Sequence, residues 1–374
     1  MGQKTVKKTT ILSRRGIVAL VLAGLIVLPS LAVAQSILPN FGAQRVGSTA
    51  MTFLKIPVGA RGEGMAGAYG AISNDAFSAF WNPAGIAQIS NRFQGVYVID
   101  PEKPAQGVKG PSSSMARVTG GDYSAGFVHF EWLGQLSYNA VSVVIPIQMG
   151  AIGVNAISLV APDMEVTTEY NPDGTGEYFS YGDALLGVTW AWEMTQNFSW
   201  GVSLKYARET LADTHMDNIL IDIGTYYWTG FRDLRIGVTL KHFGPNAQPV
   251  GSYLATDAND EEYQEDFQEY SPPTEFSLGV GMTLFASGYH RLLGTAQLNH
   301  PVDNSENFTM GAEYSLASQL FLRGGMRFNT DENPWTLGAG VRIPWQGRAV
   351  SVDLSYTEYG ILDEVTRLSV ELSF

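Results

Sequence analysis

Apolar and polar residues alternate with a period of two along most of this chain. In NFTMGAEYSL, Phe308, Met310, Ala312, Tyr314 and Leu316 share one face, and Thr309, Gly311, Glu313 and Ser315 share the other. In EFSLGVGMTLF, Phe276, Leu278, Val280, Met282 and Leu284 oppose Ser277, Gly279, Gly281 and Thr283. Successive side chains of a strand point to opposite faces, so this period predicts β-strands. The pattern recurs at Trp335 to Ile343 and Val350 to Tyr356, and segments of this kind follow one another from about Gly126 to Phe374. Each is near the ~9–11 residues that a tilted strand needs to cross a bilayer. No helical stripe of comparable length interrupts them.

The connections alternate between short and long. Short ones fall at Gln148 to Gly150, Thr195 to Asn197, Thr229-Gly230, Ser287-Gly288, Leu316 to Ser318 and Gln346-Gly347. Longer ones are expected at Ala161 to Tyr181, Thr210 to Asp217, Gly244 to Pro273, His300 to Glu306, Asn329 to Pro334 and Glu358 to Glu364. Barrels of the outer membrane have this asymmetry, with tight turns at one end and long loops at the other. Trp190, Trp192, Trp200, Tyr226, Tyr227, Trp228, Trp335 and Trp345 lie near strand ends, as interfacial aromatic girdles require. The last segment, RLSVELSF, puts Leu368, Val370, Leu372 and Phe374 on one face and resembles the carboxy-terminal strand signal of such barrels. Lipid leaves no backbone group unpaired, so a closed antiparallel β-barrel is the all-β answer available to a membrane.

The amino terminus agrees with this destination. Lys4, Lys7, Lys8, Arg14 and Arg15 precede the apolar run Ile17 to Leu28, and Ala32-Val33-Ala34 follows, which predicts a signal peptide over residues 1–34. The run is shorter than the ~20 residues of a spanning helix. Its removal takes the formal charge from -13 to about -18, because 18 of the 23 basic residues remain against 36 acidic ones. So acidic a chain does not suit nucleic acid. With no cysteine, neither a lipid-modified cysteine nor a disulfide-stapled fold is open to it.

On the face that would line the barrel's interior fall Arg235, Lys241, Glu313, Arg323, Arg327, Arg342, Asp353, Arg367 and Glu371. Charges there need water or partners, so they predict a network of salt bridges around a plug, with a polar conduction path as the alternative.

Residues 53–90, FLKIPVGARGEGMAGAYGAISNDAFSAFWNPAGIAQIS, lack the period of two and are rich in glycine and alanine. They resemble the amino-terminal hatch of FadL-like outer-membrane barrels, and more closely that of the PorV/PorQ family associated with type IX secretion. The matching elements are Phe53-Leu54-Lys55-Ile56, Val58-Gly59-Ala60-Arg61, Gly64 to Tyr69, Asn74-Asp75-Ala76 and Trp81-Asn82-Pro83-Ala84-Gly85. A weaker echo, Glu131-Trp132 and Ser137-Tyr138, lies near the first secure strand. The resemblance implies a 14-stranded barrel plugged by this segment. The alternation itself offers about 14 candidates from Gly126 onward, plus weaker ones at Phe93 to Ile99 and Ser112 to Thr119 that leave 16 as the alternative. The expected organisation is a signal peptide (1–34), a hatch (35–91) and an outer-membrane barrel (92–374), with Arg92 to Gly121 as an extra hairpin or loop. Asp75, Trp81, Asn82, Pro83, Ala84 and Gly85 are the hatch or gating candidates, and a capped turn docking the hatch to the wall is the favoured role of Asn82-Pro83-Ala84.

Chemical readings are weaker. Gly62-Glu63-Gly64-Met65-Ala66-Gly67 matches G-x-G-x-x-G, but no βαβ unit surrounds it and no acidic residue stands about 20 positions on, so no dinucleotide is expected. His129, His215, His242, His290 and His300 show no metal spacing, and no cofactor is expected. Asp213-Thr214-His215 singles out no nucleophile, so the chain does not read as an enzyme. The run DANDEEYQEDFQEY, from Asp257 to Tyr270, lacks the ligand spacing of an EF-hand and reads as a solvated external loop, its Tyr263, Phe267 and Tyr270 left for a partner. The resemblance implies two functions: a secretion component that engages exported cargo proteins in the outer membrane, ranked first, and a FadL-like passive channel for fatty acids or other hydrophobic small molecules. Outer-membrane lipid is the partner common to both.

Overall fold

A computed structural model describes residues 46–89, 123–256, 262–330, 335–345 and 348–374. The predicted signal peptide, residues 35–45 of the hatch, the stretch Arg92 to Gly121 with its two weaker strands, and the turn at Gln346-Gly347 lie outside the described residues.

The period-two segments become fourteen antiparallel strands that close on themselves. In chain order they are β1 (Ser124–Trp132), β2 (Leu136–Ile147), β3 (Gly150–Val160), β6 (Tyr181–Thr195), β7 (Phe198–Leu211), β8 (Thr214–Trp228) and β9 (Arg235–Phe243), then β12 (Glu275–Ser287), β13 (His290–Pro301), β14 (Asn307–Leu316), β15 (Leu320–Phe328), β16 (Trp335–Trp345), β17 (Arg348–Glu358) and β18 (Glu364–Ser373). Two small hairpins, β4 (Met164–Glu165) with β5 (Tyr178–Phe179) and β10 (Ser252–Thr256) with β11 (Glu262–Asp266), pair outside the ring. The ring closes where β1 meets β18, with Ser124 opposite Ser373 and Gly126 opposite Glu371, so the count is fourteen and not sixteen. Tyr123 and Phe374 extend the seam by exchanging backbone bonds of 2.7 and 2.9 Å.

Alternation sets which face meets what. Leu186, Val188, Leu204, Ile219, Ile223, Leu322, Leu337 and Leu354 are exposed on the outside, an apolar belt that only a bilayer makes favourable. Inward go Ser142, Thr189, Ser203, Thr239, Ser277, Ser355 and Ser369, all buried. In β18, Leu368, Leu372 and Phe374 stay outside while Arg367, Ser369 and Glu371 turn in, as the alternation predicts.

The connections differ in part from expectation. Thr210 to Asp217 is no loop: Thr210 pairs with His215 and Leu211 with Thr214, leaving Ala212-Asp213 as a two-residue turn in which Ala212 takes φ 51°. A bidentate Arg208–Asp217 pair at 2.6 and 2.8 Å sits across these strands, so their polar residues continue the ladder. The asymmetry between the ends therefore rests chiefly on residues 161–180 and 244–274, each carrying its own hairpin. Within the second, the acidic run is partly ordered: Glu262 to Asp266 pair with Ser252 to Thr256, and Tyr253 lies 5.5 Å from the Phe267 ring. Residues 257–261 lie outside the described residues.

The aromatic expectation also splits. Trp190, Tyr227, Trp335 and Trp345 are exposed outside, with Trp200 set edge-on to Trp190 at 5.2 Å. Tyr226 and Trp228 instead turn inward: Tyr226 is buried and the Trp228 indole donates to Gln88 Oε1 at 3.1 Å. An indole N–H drawn away from water needs an acceptor, and the amino-terminal segment supplies one to the half-buried Trp228.

Candidate functional site

Residues 49–89 lie inside the ring. They are almost wholly buried, and they touch strands on opposite sides of it: Pro83–Gln88 meets β3, β6, β7 and β8, while Ala60–Glu63 meets β16, β17 and β18. With alternation absent, this stretch folds as single turns: 3-10 turns at Thr52–Lys55 and Pro83–Gln88 and one-turn helices at Ala60–Glu63 and Ser78–Trp81. The G-x-G-x-x-G match falls on one of these turns, with no strand leading into it. Small residues on the wall make the room. A Cβ on Gly237 would stand 2.6 Å from Gly70 O, and one on Gly201 2.5 Å from the Pro83 carbonyl carbon. Such approaches exclude any side chain at these inward positions.

The segment is tied along its length. At the end with the long connections, Ala50 N donates to Ser271 O at 3.0 Å, Met51 N to Glu209 at 3.0 Å, and Thr49 Oγ1 and Lys55 Nζ to Asp303 at 2.6 and 2.5 Å. In the middle, Glu63 accepts from Arg327 at 2.7 Å and Thr357 at 2.9 Å, with Arg367 3.5 Å away. Arg61 meets Glu313 at 3.0 Å; Glu313 also takes Arg323 at 2.8 Å, and Arg323 reaches Asp353 at 2.6 Å. Glu371 accepts from Ala76 N at 3.0 Å and Ser124 Oγ at 2.7 Å. At the short-turn end, Gln88 donates to Ser199 at 3.0 Å.

Of the charges read from the alternation, Glu313, Arg323 and Asp353 thus form one cluster and Arg327 and Arg367 another. Arg61 and Glu63 couple both to the segment. Arg342 faces inward near the short-turn end of β16, where its N–H donates to Gln319 O at 2.7 Å. Arg235 pairs with Asp233 at 3.3 Å under the Trp228 ring. The sequence reading missed the partners Arg61 and Glu63, and also a buried Lys205–Asp222 ion pair. A signal existed: Asp222 interrupts Ile221 and Ile223, and Lys205 interrupts Leu204 and Tyr206, in strands whose other faces are apolar.

Among the hatch candidates, Asp75 accepts from the Tyr69 hydroxyl and from Phe77 N at 3.1 Å. Trp81 Nε1 donates to Val58 O at 2.8 Å, and its ring lies against Gly62, where a Cβ would stand 2.7 Å away. Asn82 Oδ1 accepts from Ala84 N at 3.1 Å, capping the Pro83–Gln88 turn, while Nδ2 donates to Gly70 O at 2.8 Å and to Thr225 O of β8 at 3.0 Å. Ala84 is fully buried, and Gly85 packs on Ser73.

Above this segment, toward the long connections, a cavity of about 560 Å³ opens. Phe53, Leu54, Trp81, Trp132, Leu159 and Tyr359 form its apolar side, and Lys241, Glu275, Gln297, Asn299, Asn307 and Thr309 its polar side. A β-bulge shapes one wall. Between Ile221 and Ile223 of β8 the partner strand advances from Phe243 to Leu240, with His242 at φ 56°, so both Lys241 and His242 line the cavity. Lys241 bonds Glu275 at 2.9 Å and stands 5.9 Å from the Trp81 ring. Among the described residues no group of three His, Asp or Glu side chains comes together to hold a metal.

No family model matches the chain, and no curated protein matches it. Among solved structures it is similar to the CymD monoaromatic hydrocarbon channel, at 12% identity over 85% of this chain and 97% of that one, with a TM-score of 0.50. Two others are a TodX monoaromatic hydrocarbon channel mutant (11% identity, 84% and 97% covered, TM-score 0.49) and the Ralstonia pickettii toluene transporter TbuX (12% identity, 84% and 97% covered, TM-score 0.48). At such identities the likeness is one of fold. The chain has the fold of the FadL-like outer-membrane barrels, closed by fourteen strands.

Proposed function

We propose that this protein is a passive outer-membrane channel for small hydrophobic molecules, with residues 35–91 as its hatch, residues 92–374 as its barrel and residues 1–34 as the export signal. The observation that carries the reading is the half-apolar, half-polar cavity of about 560 Å³ at the long-loop end. That is within the roughly 300–1,000 Å³ of small-molecule sites, and its aromatic side is what a hydrophobic ligand needs on leaving water. The long-loop end is the external one in barrels of this class, so the cavity faces the supply. The fold shared with CymD, whose name describes a monoaromatic hydrocarbon channel, supports the same direction. In this reading Asp75 and Trp81 to Gly85 hold the hatch shut below the cavity, and the charge network from Glu63 to Glu371 fixes it to the wall.

The secretion-component reading rests on the PorV/PorQ-like motif between residues 53 and 85. Its most distinctive residues, Trp81, Asn82 and Ala84, are buried, and their contacts are to the segment itself and the barrel wall. They are interior packing residues and offer no surface to a secreted protein, so this reading ranks second. Uptake of a radiolabelled alkylbenzene into proteoliposomes tests the proposal: saturable entry above protein-free vesicles supports it. Entry no faster than in those vesicles, together with co-purification of secreted cargo, would reverse the order.

A further inference from the structure

The cavity's charges are already spent on one another. Among the described residues four cationic side chains line it, and each has its own carboxylate: Lys55 with Asp303 at 2.5 Å, Lys205 with Asp222, Lys241 with Glu275 at 2.9 Å, and Arg327 with Glu63 at 2.7 Å. The cavity's imidazole, His242, keeps Nδ1 4.0 Å from Asp222 Oδ1, beyond hydrogen-bond range, while its backbone N–H donates to that oxygen at 2.8 Å; Nδ1 is buried without a partner among the described residues. Arg367, the second guanidinium near Glu63, is fully buried, does not line the cavity, and donates to Thr357 at 3.3 Å and to Tyr359 at 3.2 Å. An anionic ligand would have to pull a lysine or arginine from its carboxylate, and a carboxylate left buried without its partner is strongly unfavourable.

The polar groups left over are neutral. Gly70 N donates to Gln297 at 2.9 Å, Gln297 Nε2 to Asn299 at 2.7 Å, and Asn299 Nδ2 to Asn307 at 2.8 Å. This amide relay runs along the cavity wall and ends on the half-buried Asn307. Thr330 also lines the cavity, and its hydroxyl is shielded from solvent with no partner among the described residues. A buried polar group without a partner favours any ligand that supplies one. Trp81, Trp132 and Tyr359 line the same cavity.

Resting on the uptake reading, we infer that the cavity selects uncharged amphiphiles: a hydrocarbon or aromatic body carrying one hydroxyl or carbonyl group, and not its carboxylate counterpart. The body lies against the aromatic side, and its single polar group meets Asn307 and Thr330.

Three probes of one skeleton test this at neutral pH: 4-hexylphenol, hexylbenzene and 4-hexylbenzoate. Their binding to the full chain in nanodiscs is measured by titration calorimetry against empty nanodiscs. The phenol is expected to bind about tenfold tighter than the benzoate and about fivefold tighter than hexylbenzene, a spread set by one hydrogen bond and one uncompensated charge. Asn307→Leu is expected to remove the phenol's advantage over hexylbenzene, with heat-modifiable gel migration reporting an intact barrel. Benzoate binding within about threefold of the phenol would overturn the inference and leave the channel reading standing. So would an Asn307→Leu barrel that migrates as wild type and keeps the preference. Failure of all three probes to bind would instead remove the channel reading beneath it.

Discussion

Glu63 is where loss of one charge should loosen the segment inside the ring most. It is fully buried between Arg327 at 2.7 Å and Arg367 at 3.5 Å, and Thr357 donates to it at 2.9 Å. Glu63→Gln keeps the volume and one carbonyl acceptor, so Thr357 keeps its bond. What goes is the anion facing two guanidiniums that cannot deprotonate. Removing one partner of a buried ion pair costs about 3–5 kcal/mol, because the charge left behind has been desolvated for nothing. At 1.4 kcal/mol per factor of ten, even the lower figure lowers amide exchange protection in residues 60–66 by about 100-fold. The barrel strands should keep their protection, since their ladders do not involve Glu63. Hydrogen exchange of both regions in the same detergent sample reads the difference. The double variant Glu63→Gln/Arg367→Met should recover most of the loss, because it removes the surplus cation. A protection change below about tenfold, or no recovery in the double variant, would refute the view that charge balance holds the segment in place.

Other outcomes follow from the same contacts. Asn82→Ala removes a cap and two bonds to backbone carbonyls, a loss of about 2–3 kcal/mol that should appear as faster exchange from Gly70 to Gln88; unchanged exchange would count against a docking role. Gly237→Val puts a side chain where Gly70 O stands 2.6 Å from the Cβ position, so the barrel should assemble with the segment displaced and planar-bilayer conductance raised; wild-type conductance would contradict the packing. Val188→Arg, halfway along β6 and exposed on the outer face, should cost about 2–4 kcal/mol of folding free energy in lipid vesicles, whereas a barrel read inside out would tolerate it. Asp233, in the turn between β8 and β9, is buried, which alone would raise its pKa. Hydrogen bonds from the Thr283 hydroxyl and N–H and the nearby Arg235 and Arg291 outweigh that and hold it below the usual carboxylate range. A depressed carboxylate stabilises the fold above its unfolded pKa and loses that contribution as pH falls through the folded one. Acid should therefore destabilise this turn below about pH 4, and Asp233→Asn should flatten that dependence in an acid titration followed by exchange.

The alternation alone determined the fold class, the inward and outward faces of β14, β16 and β18, and the charges that point inside. A strand's side chains have a strict period of two, and lipid punishes an error on either face, so that pattern is written locally. Loop length was less legible: Thr210 to Asp217 is polar because an external hairpin continues beyond the membrane, and polarity does not distinguish a ladder from a loop. Tyr226 and Trp228 read as girdle residues because they end a strand, yet only Gln88, 140 residues away, decides that the indole turns inward. The same holds for the candidate site. The non-alternating segment at residues 53–85 was visible, and so were Glu313, Arg323 and Asp353 as isolated charges. Their joining through Arg61 and Glu63, and the neutral cavity left above Trp81 once each cation had found its carboxylate, came only with the tertiary structure. Such pairs join residues 248 to 304 positions apart, and the closing of the ring sets those distances, not any local spacing.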